Sequence, residues 1–168
     1  MKDDFGRDIY YLRLSVTDLC NLRCVYCMPE EGVGKRCHSD ILSVEEIEEI
    51  VRAAVDCGIR KIRVTGGEPL VRKGIIEICR RIAAIPDVQE LCITTNGTLL
   101  PQYASQLREA GVSRLNISLD TLDGDKYTTI TRGGSLKDIL VGIDAALEAG
   151  FDNIKINTVL MGGVNDAE

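Results

Sequence analysis

The sequence predicts an α/β fold in which about five parallel strands, with helices outside, curve into a partial (β/α) barrel. Strand-like and helix-like stretches alternate along the chain. The strand-like stretches are apolar on one face only. The length of 168 residues falls short of the roughly 250 that a closed eight-stranded barrel of this kind takes, so the barrel is partial.

The elements follow in order. A first strand covers 10–17. A helix starts after Ser43, where Ser43 and Glu46 form an S-x-x-E capping box. Ile47, Ile50, Val51, Ala54 and Val55 keep a helical stripe until Gly58 stops it. A strand over 59–65, a helix over 75–84 and a strand over 91–95 come next. Pro101 opens a third helix that ends at Gly111. A strand over 115–119 precedes a helix over 135–149, closed by Gly150, and a last strand covers 154–160. Five strands and four helices in alternation imply a parallel sheet with right-handed crossovers.

Strand faces add to this. Leu12, Leu14 and Val16 alternate with Arg13, Ser15 and Thr17, and Ile62 and Val64 with Lys61, Arg63 and Thr65. Leu115, Ile117 and Leu119 oppose Asn116, Ser118 and Asp120; Ile154 and Ile156 oppose Lys155 and Asn157. A parallel sheet covered on both faces reads as continuous apolar runs. Here one face meets helices and the other lines a polar cavity. An open sheet with one wet face is the alternative.

Composition limits function. A net charge of −6 and 4% aromatic residues argue against nucleic acid, which wants a basic stripe and stacking platforms. Any anionic ligand must be held by a few placed cations. The N-terminal MKDDFGRD is unlike a signal peptide, and no apolar run is long enough to span a bilayer. Seven irregularly spaced cysteines suit a reducing compartment better than a disulfide framework. The expected location is cytoplasmic.

The chemistry concentrates in Cys20, Cys24 and Cys27, spaced C-x3-C-x2-C. Three thiolates can hold three corners of a cubane and leave one iron without a protein ligand, whereas clusters held by protein alone take four Cys. Zinc closed by Cys37 or His38, and a disulfide, are the other readings of the spacing. Two further loops lie at strand ends. Thr65-Gly66-Gly67-Glu68-Pro69 offers two residues without side chains, where a ligand can approach the main chain. Thr95-Asn96-Gly97-Thr98 follows the next strand. All three sit at the carboxyl edge, where parallel α/β folds bind ligands. His38, the only histidine, reads as structural or exposed; Cys57, Cys79 and Cys92 read as small buried hydrophobes. Cys92 shares parity with Thr94, and the role of Cys37 is open.

With C-x3-C-x2-C, GGEP and strands ending in polar groups, the chain resembles the radical S-adenosylmethionine (SAM) superfamily. Within it, the chain is similar to the GTP 3′,8-cyclases of molybdenum cofactor biosynthesis. YLRLSVTDLCNLRCVYCMPEEGV, KIRVTGGEPLVRK, ITTNGTLL, LNISLDTLD and KINTVLMGGVND carry that closer match. CMPEEG and Arg72 discriminate best. The resemblance implies a [4Fe–4S] cluster on Cys20, Cys24 and Cys27, whose free iron takes SAM and yields a 5′-deoxyadenosyl radical. That radical removes hydrogen from C3′ of GTP, and the ribose radical attacks C8 to give 3′,8-cyclo-7,8-dihydro-GTP. Tyr26 then lies beside the SAM adenine, Gly67 offers backbone to its methionine part, and Ser118 contacts SAM. Arg13, Arg63, Thr94 and Lys155 match GTP-contacting positions, and three of these are cations on the polar strand face.

The partners implied are GTP as substrate, a reducing electron donor and a second copy of the chain, with neither nucleic acid nor membrane. Residues 1–168 are then a radical SAM core domain truncated on its C-terminal side, whose capacity for the whole cyclisation is in question. The alternatives are a peptide-modifying radical SAM enzyme, or a non-catalytic zinc-stabilised binding domain.

Overall fold

The computed structural model describes residues 2–34 and 40–168. Strands β1 (Tyr11–Ser15), β2 (Lys61–Thr65), β3 (Glu90–Thr95), β4 (Arg114–Ser118) and β5 (Ile154–Asn157) form one sheet in sequence order. Every neighbouring pair is parallel. Helices α1 (Val44–Asp56), α2 (Ile75–Ala83), α3 (Leu100–Glu109), α4 (Gly124–Thr131) and α5 (Leu136–Glu148) make the crossovers. This is the partial (β/α) barrel the alternation implied.

The apolar strand face forms the core. Leu14, Ile62, Val64, Ile93, Leu115 and Ile117 are buried against Ile47 and Val51 of α1, Ile78 and Ile82 of α2, Leu107 of α3 and Ile139 of α5. Both halves of the capping box are present: the Glu46 amide donates to Ser43 Oγ at 3.1 Å, and the Ser43 amide donates to Glu46 Oε2 at 2.7 Å.

The register arranges the opposite, inner face in layers. Arg13, Arg63, Cys92 and Arg114 pair successively across β1 to β4. Two residues nearer the carboxyl edge, Thr94 pairs with Asn116 and Asn116 with Lys155.

Three expectations need correction. The last strand ends at Asn157 rather than 160, since the chain turns inward there: Thr158 Oγ1 donates to the Leu119 carbonyl, and the Val159 amide to Asp120 Oδ1. Among the described residues there are five α-helices rather than four. DKYTTIT is rich in β-branched residues, which lowers intrinsic helix preference, but Asp123 caps α4 by accepting from the Asp125 and Lys126 amides. Tyr127 and Ile130 anchor α4 in the interior. Cys57 is exposed, because it lies at the C-cap of α1, past the end of its buried stripe. Cys92 is buried as expected, and the alternation of β3 puts it with Thr94 on the inner polar face beside Arg63.

Candidate functional site

The site is built where β1 runs out. Beyond Ser15 the chain stays laced to the β2 end: the Val16 amide donates to the Thr65 carbonyl at 2.9 Å, Gly67 to Thr17 at 2.8 Å, and Glu68 to Leu19 at 2.8 Å. The two glycines permit this. A Cβ on Gly66 would lie 2.3 Å from the Thr17 carbonyl oxygen, and one on Gly67 2.3 Å from that of Leu19. The close approach that the glycine pair was expected to give a ligand is thus taken by the protein's own main chain, just ahead of Cys20. Among the described residues, no hydrogen bond ends on the Gly67 carbonyl oxygen, which stays open to a cationic donor.

Glu68 ties the next loop in. It is buried, and its Oε1 accepts from the Leu70 amide (2.9 Å) and the Thr95 hydroxyl (2.8 Å), while Oε2 accepts from the Asn96 amide (2.6 Å). Burial pushes its carboxyl pKa up despite these donors. Asn96 Nδ2 in turn donates to Asn21 Oδ1 at 2.8 Å and faces Cys20 Sγ at 4.0 Å. The GGEP loop, the TNGT loop and the cysteine loop are one hydrogen-bonded unit.

Helix α4 supports the far side of the cysteine loop. The Arg23 and Val25 amides donate to the Thr131 and Ile130 carbonyls at its last turn. Arg132 Nη1 reaches back to the carbonyls of Arg23 and Met28. Tyr26 donates to Asp120 Oδ2 at 2.7 Å, so the loop is also moored to the β4 end. Burial and that carboxylate push the phenol pKa up. Arg72 forks between the Val16 and Leu42 carbonyls, holding the chain entering α1 against the end of β1.

Cys20, Cys24 and Cys27 are free thiols close enough to act on one another electrostatically. Burial pushes the Cys20 thiol up and that of Cys24 to about 11, so both want a bound cationic centre to become thiolates. Among the described residues, no three Cys, His, Asp or Glu side chains are grouped as for a single metal ion. A cubane asks for a looser spread, because each thiolate takes a different iron. The Leu22 amide donates to Cys20 Sγ at 3.4 Å, the kind of N–H···S contact that tunes cluster potentials. These residues fit a three-cysteine cluster. Cys37 and His38, the remaining ligands proposed for zinc, lie outside the described residues.

The inner face below holds the other site candidates. Arg63 lies over the Tyr11 ring, 5.1 Å from its centroid. With the Asn116 amide turned so that its oxygen faces Arg63, that oxygen accepts from both Nη1 and Nη2 at 3.0 Å. Thr94 Oγ1 and Arg63 Nε are buried without a partner among the described residues. Among the described residues, Arg13, Arg63 and Lys155 form no ion pair with a carboxylate. Ser118 ends β4 opposite Asn157, nearest the loops. Register thus gathers Arg13, Arg63, Thr94, Lys155 and Ser118 on one face, with Tyr26 and Gly67 at its rim. Sequence reasoning passed over Glu68, Asp120, Asn96 and Arg114; the first three stood inside quoted motifs, but nothing local marked them as braces.

Residues 14–168 match the model of the Radical SAM superfamily. The chain is 57% identical over its whole length to a GTP 3′,8-cyclase of Pelotomaculum thermopropionicum, covering 52% of that protein. It is 63% identical over 99% of its length to one from Geobacter sulfurreducens, covering 51%. The chain therefore spans about half the length of the curated relatives it matches. Among solved structures, methylornithine synthase superposes with a TM-score of 0.70 at 19% identity, over 95% of this chain and 47% of that one. Streptococcus suis SuiB bound to S-adenosylmethionine gives 0.68 at 21%, over 89% and 32%. These structural likenesses bear on the fold, and the superfamily implies a [4Fe–4S] cluster and SAM. By motif, by family model and by the loop geometry around its three cysteines, the chain belongs to the radical SAM superfamily.

Proposed function

We propose that the chain is the radical SAM core domain of a GTP 3′,8-cyclase of molybdenum cofactor biosynthesis, working in the cytoplasm with an external electron donor. The observation that carries the reading is the inner face. On a chain of net charge −6, it presents Arg13, Arg63 and Lys155 without ion-pair partners among the described residues. Cations with no carboxylate beside them suit an anionic ligand that only accepts, as a triphosphate does.

When bound, the cluster and SAM supply the one-electron chemistry that starts hydrogen abstraction. The chain's own residues bind and orient. Cys20, Cys24 and Cys27 hold the cluster at the carboxyl edge. The open Gly67 carbonyl accepts from the amino group of SAM, Tyr26 flanks its adenine, and Ser118 contacts it from β4. Arg13, Arg63 and Lys155 fix the triphosphate and Thr94 donates to the nucleotide, so the ribose faces the cluster edge. The three braced loops fix the position of that edge.

The test is anaerobic reconstitution followed by titration with SAM and GTP. The reading expects about four irons per chain, a SAM-induced change in the reduced cluster's paramagnetic spectrum, and saturable GTP binding lost in Lys155→Gln. Stoichiometric zinc with no iron uptake, or GTP binding indifferent to Lys155 and Arg63, overturns it.

A further inference from the structure

The inner face carries a further guanidinium that the reading above leaves unused. Arg114 opens β4 and pairs with Cys92, which pairs with Arg63, which pairs with Arg13. Residues in register share a face, and neighbouring strands lie about 4.8 Å apart. The three guanidiniums therefore stand in one layer across four strands. Between Arg63 and Arg114 the layer holds only the small Cys92, which is 1% exposed, and both guanidiniums act on its sulfur.

That layer has unmet donors. Among the described residues, the Nε atoms of Arg63 and Arg114 are buried without an acceptor, as is the Thr94 hydroxyl one layer nearer the carboxyl edge. Buried polar atoms normally find partners, and exceptions ask for a cause. Glu90 does not supply it for Arg114. Its carboxylate lies 3.8 Å from Arg114 Nη1 and sits closer to Lys61 Nζ, at 3.1 Å. The Arg114 side chain is still 30% exposed, so a ligand can reach it. Two N–H groups and a hydroxyl in neighbouring layers of one sheet face are donors that an oxyanion would satisfy.

We propose that Arg114 is a phosphate-binding residue, completing with Arg13 and Arg63 a guanidinium layer that grips the polyphosphate of the bound nucleotide. The proposal rests on the GTP reading above and extends its cation set deeper into the sheet. Planar guanidiniums suit the role, because each can present two parallel donors to one phosphate. Glu90, which pairs with Lys61 one layer further from the carboxyl edge, then acts as a competing counter-charge for Arg114.

Calorimetric titration of the chain with GTP and with inorganic tripolyphosphate tests this, using Arg114→Gln, Glu90→Gln and Lys155→Gln. Arg114→Gln is expected to weaken both ligands about tenfold, the loss of a hydrogen bond to a charged group. Glu90→Gln is expected to tighten both, since it removes a competing carboxylate. An Arg114 that merely served Glu90 would give the same sign for the two substitutions, which overturns the proposal. So does a loss confined to GTP, which would place Arg114 on the nucleoside. If Lys155→Gln weakens GTP while Arg114→Gln leaves both ligands unchanged, the GTP reading stands and this extension falls. Absence of saturable GTP binding by the unsubstituted chain overturns both.

Discussion

Replacing Gly67 by alanine tests the lacing that places the cysteine loop. The new Cβ would lie 2.3 Å from the Leu19 carbonyl oxygen and 2.7 Å from that of Asp18. An ordinary carbon–oxygen contact is about 3.3 Å, so the chain ahead of Cys20 must retreat by about 1 Å. Both obstacles are backbone, and the segment is held by hydrogen bonds of 2.8 Å from Gly67 to Thr17 and from Glu68 to Leu19. Relief therefore stretches those bonds. Overpacking of this kind costs about 1–3 kcal/mol, and each weakened hydrogen bond about 1 kcal/mol. With a urea slope of about 1–3 kcal/mol/M, the unfolding midpoint should fall by about 1–2 M. Iron uptake on anaerobic reconstitution should fall with it, because the displaced segment leads directly into Cys20. Gly162→Ala is the control, since nothing lies within 4 Å of its Cβ position. A Gly67→Ala chain that matches the unsubstituted one in both midpoint and iron content would refute the lacing and the placement of Cys20 built on it.

Further expectations follow from the same geometry. Arg72→Met should lower stability by about 1.5–3 kcal/mol in urea melts, through loss of charge-assisted bonds to Val16 and Leu42; Arg72→Lys, lacking the fork, should recover only part. Gly142→Ala should cost about 1–3 kcal/mol by the same assay, because its Cβ would meet the Gly97 carbonyl oxygen at 2.1 Å and push α5 off the TNGT turn. Glu68 has a raised folded-state pKa, so the folded state holds its proton to higher pH than the unfolded state, whose pKa is about 4.3. Its contribution should decline as pH rises from that value through the raised one, and then stay flat. The difference between Glu68→Gln and the unsubstituted chain in urea midpoint across that window measures it; a difference that is flat, or of opposite slope, contradicts the assignment.

Much of the architecture was legible because it rests on local signals. The Ser43–Glu46 box and the Pro101 start mark helices through backbone groups that adjacent residues satisfy. Alternation in β1, β2 and β4 marks two faces, because successive strand side chains must point opposite ways. The same parity put Arg13, Arg63 and Lys155 on one face before any register was known. Helix α4 escaped because its evidence is tertiary: a β-branched segment held by Tyr127 and Ile130 in the core and by an aspartate cap. Cys57 was misjudged because a helical stripe does not say where the last turn leaves the interior.

Sequence alone determined the C-x3-C-x2-C spacing of Cys20, Cys24 and Cys27, the strand order and the polar inner face, since each is a matter of residue type and short spacing. Only the tertiary structure decided what Gly66 and Gly67 make room for, which loops Glu68 binds together, that α4 props the cysteine loop, and that Arg114 shares a layer with Arg63. Those relations join residues far apart in the chain. Strand register, buried hydrogen bonds and steric contact set them, and these exist only once the sheet has formed.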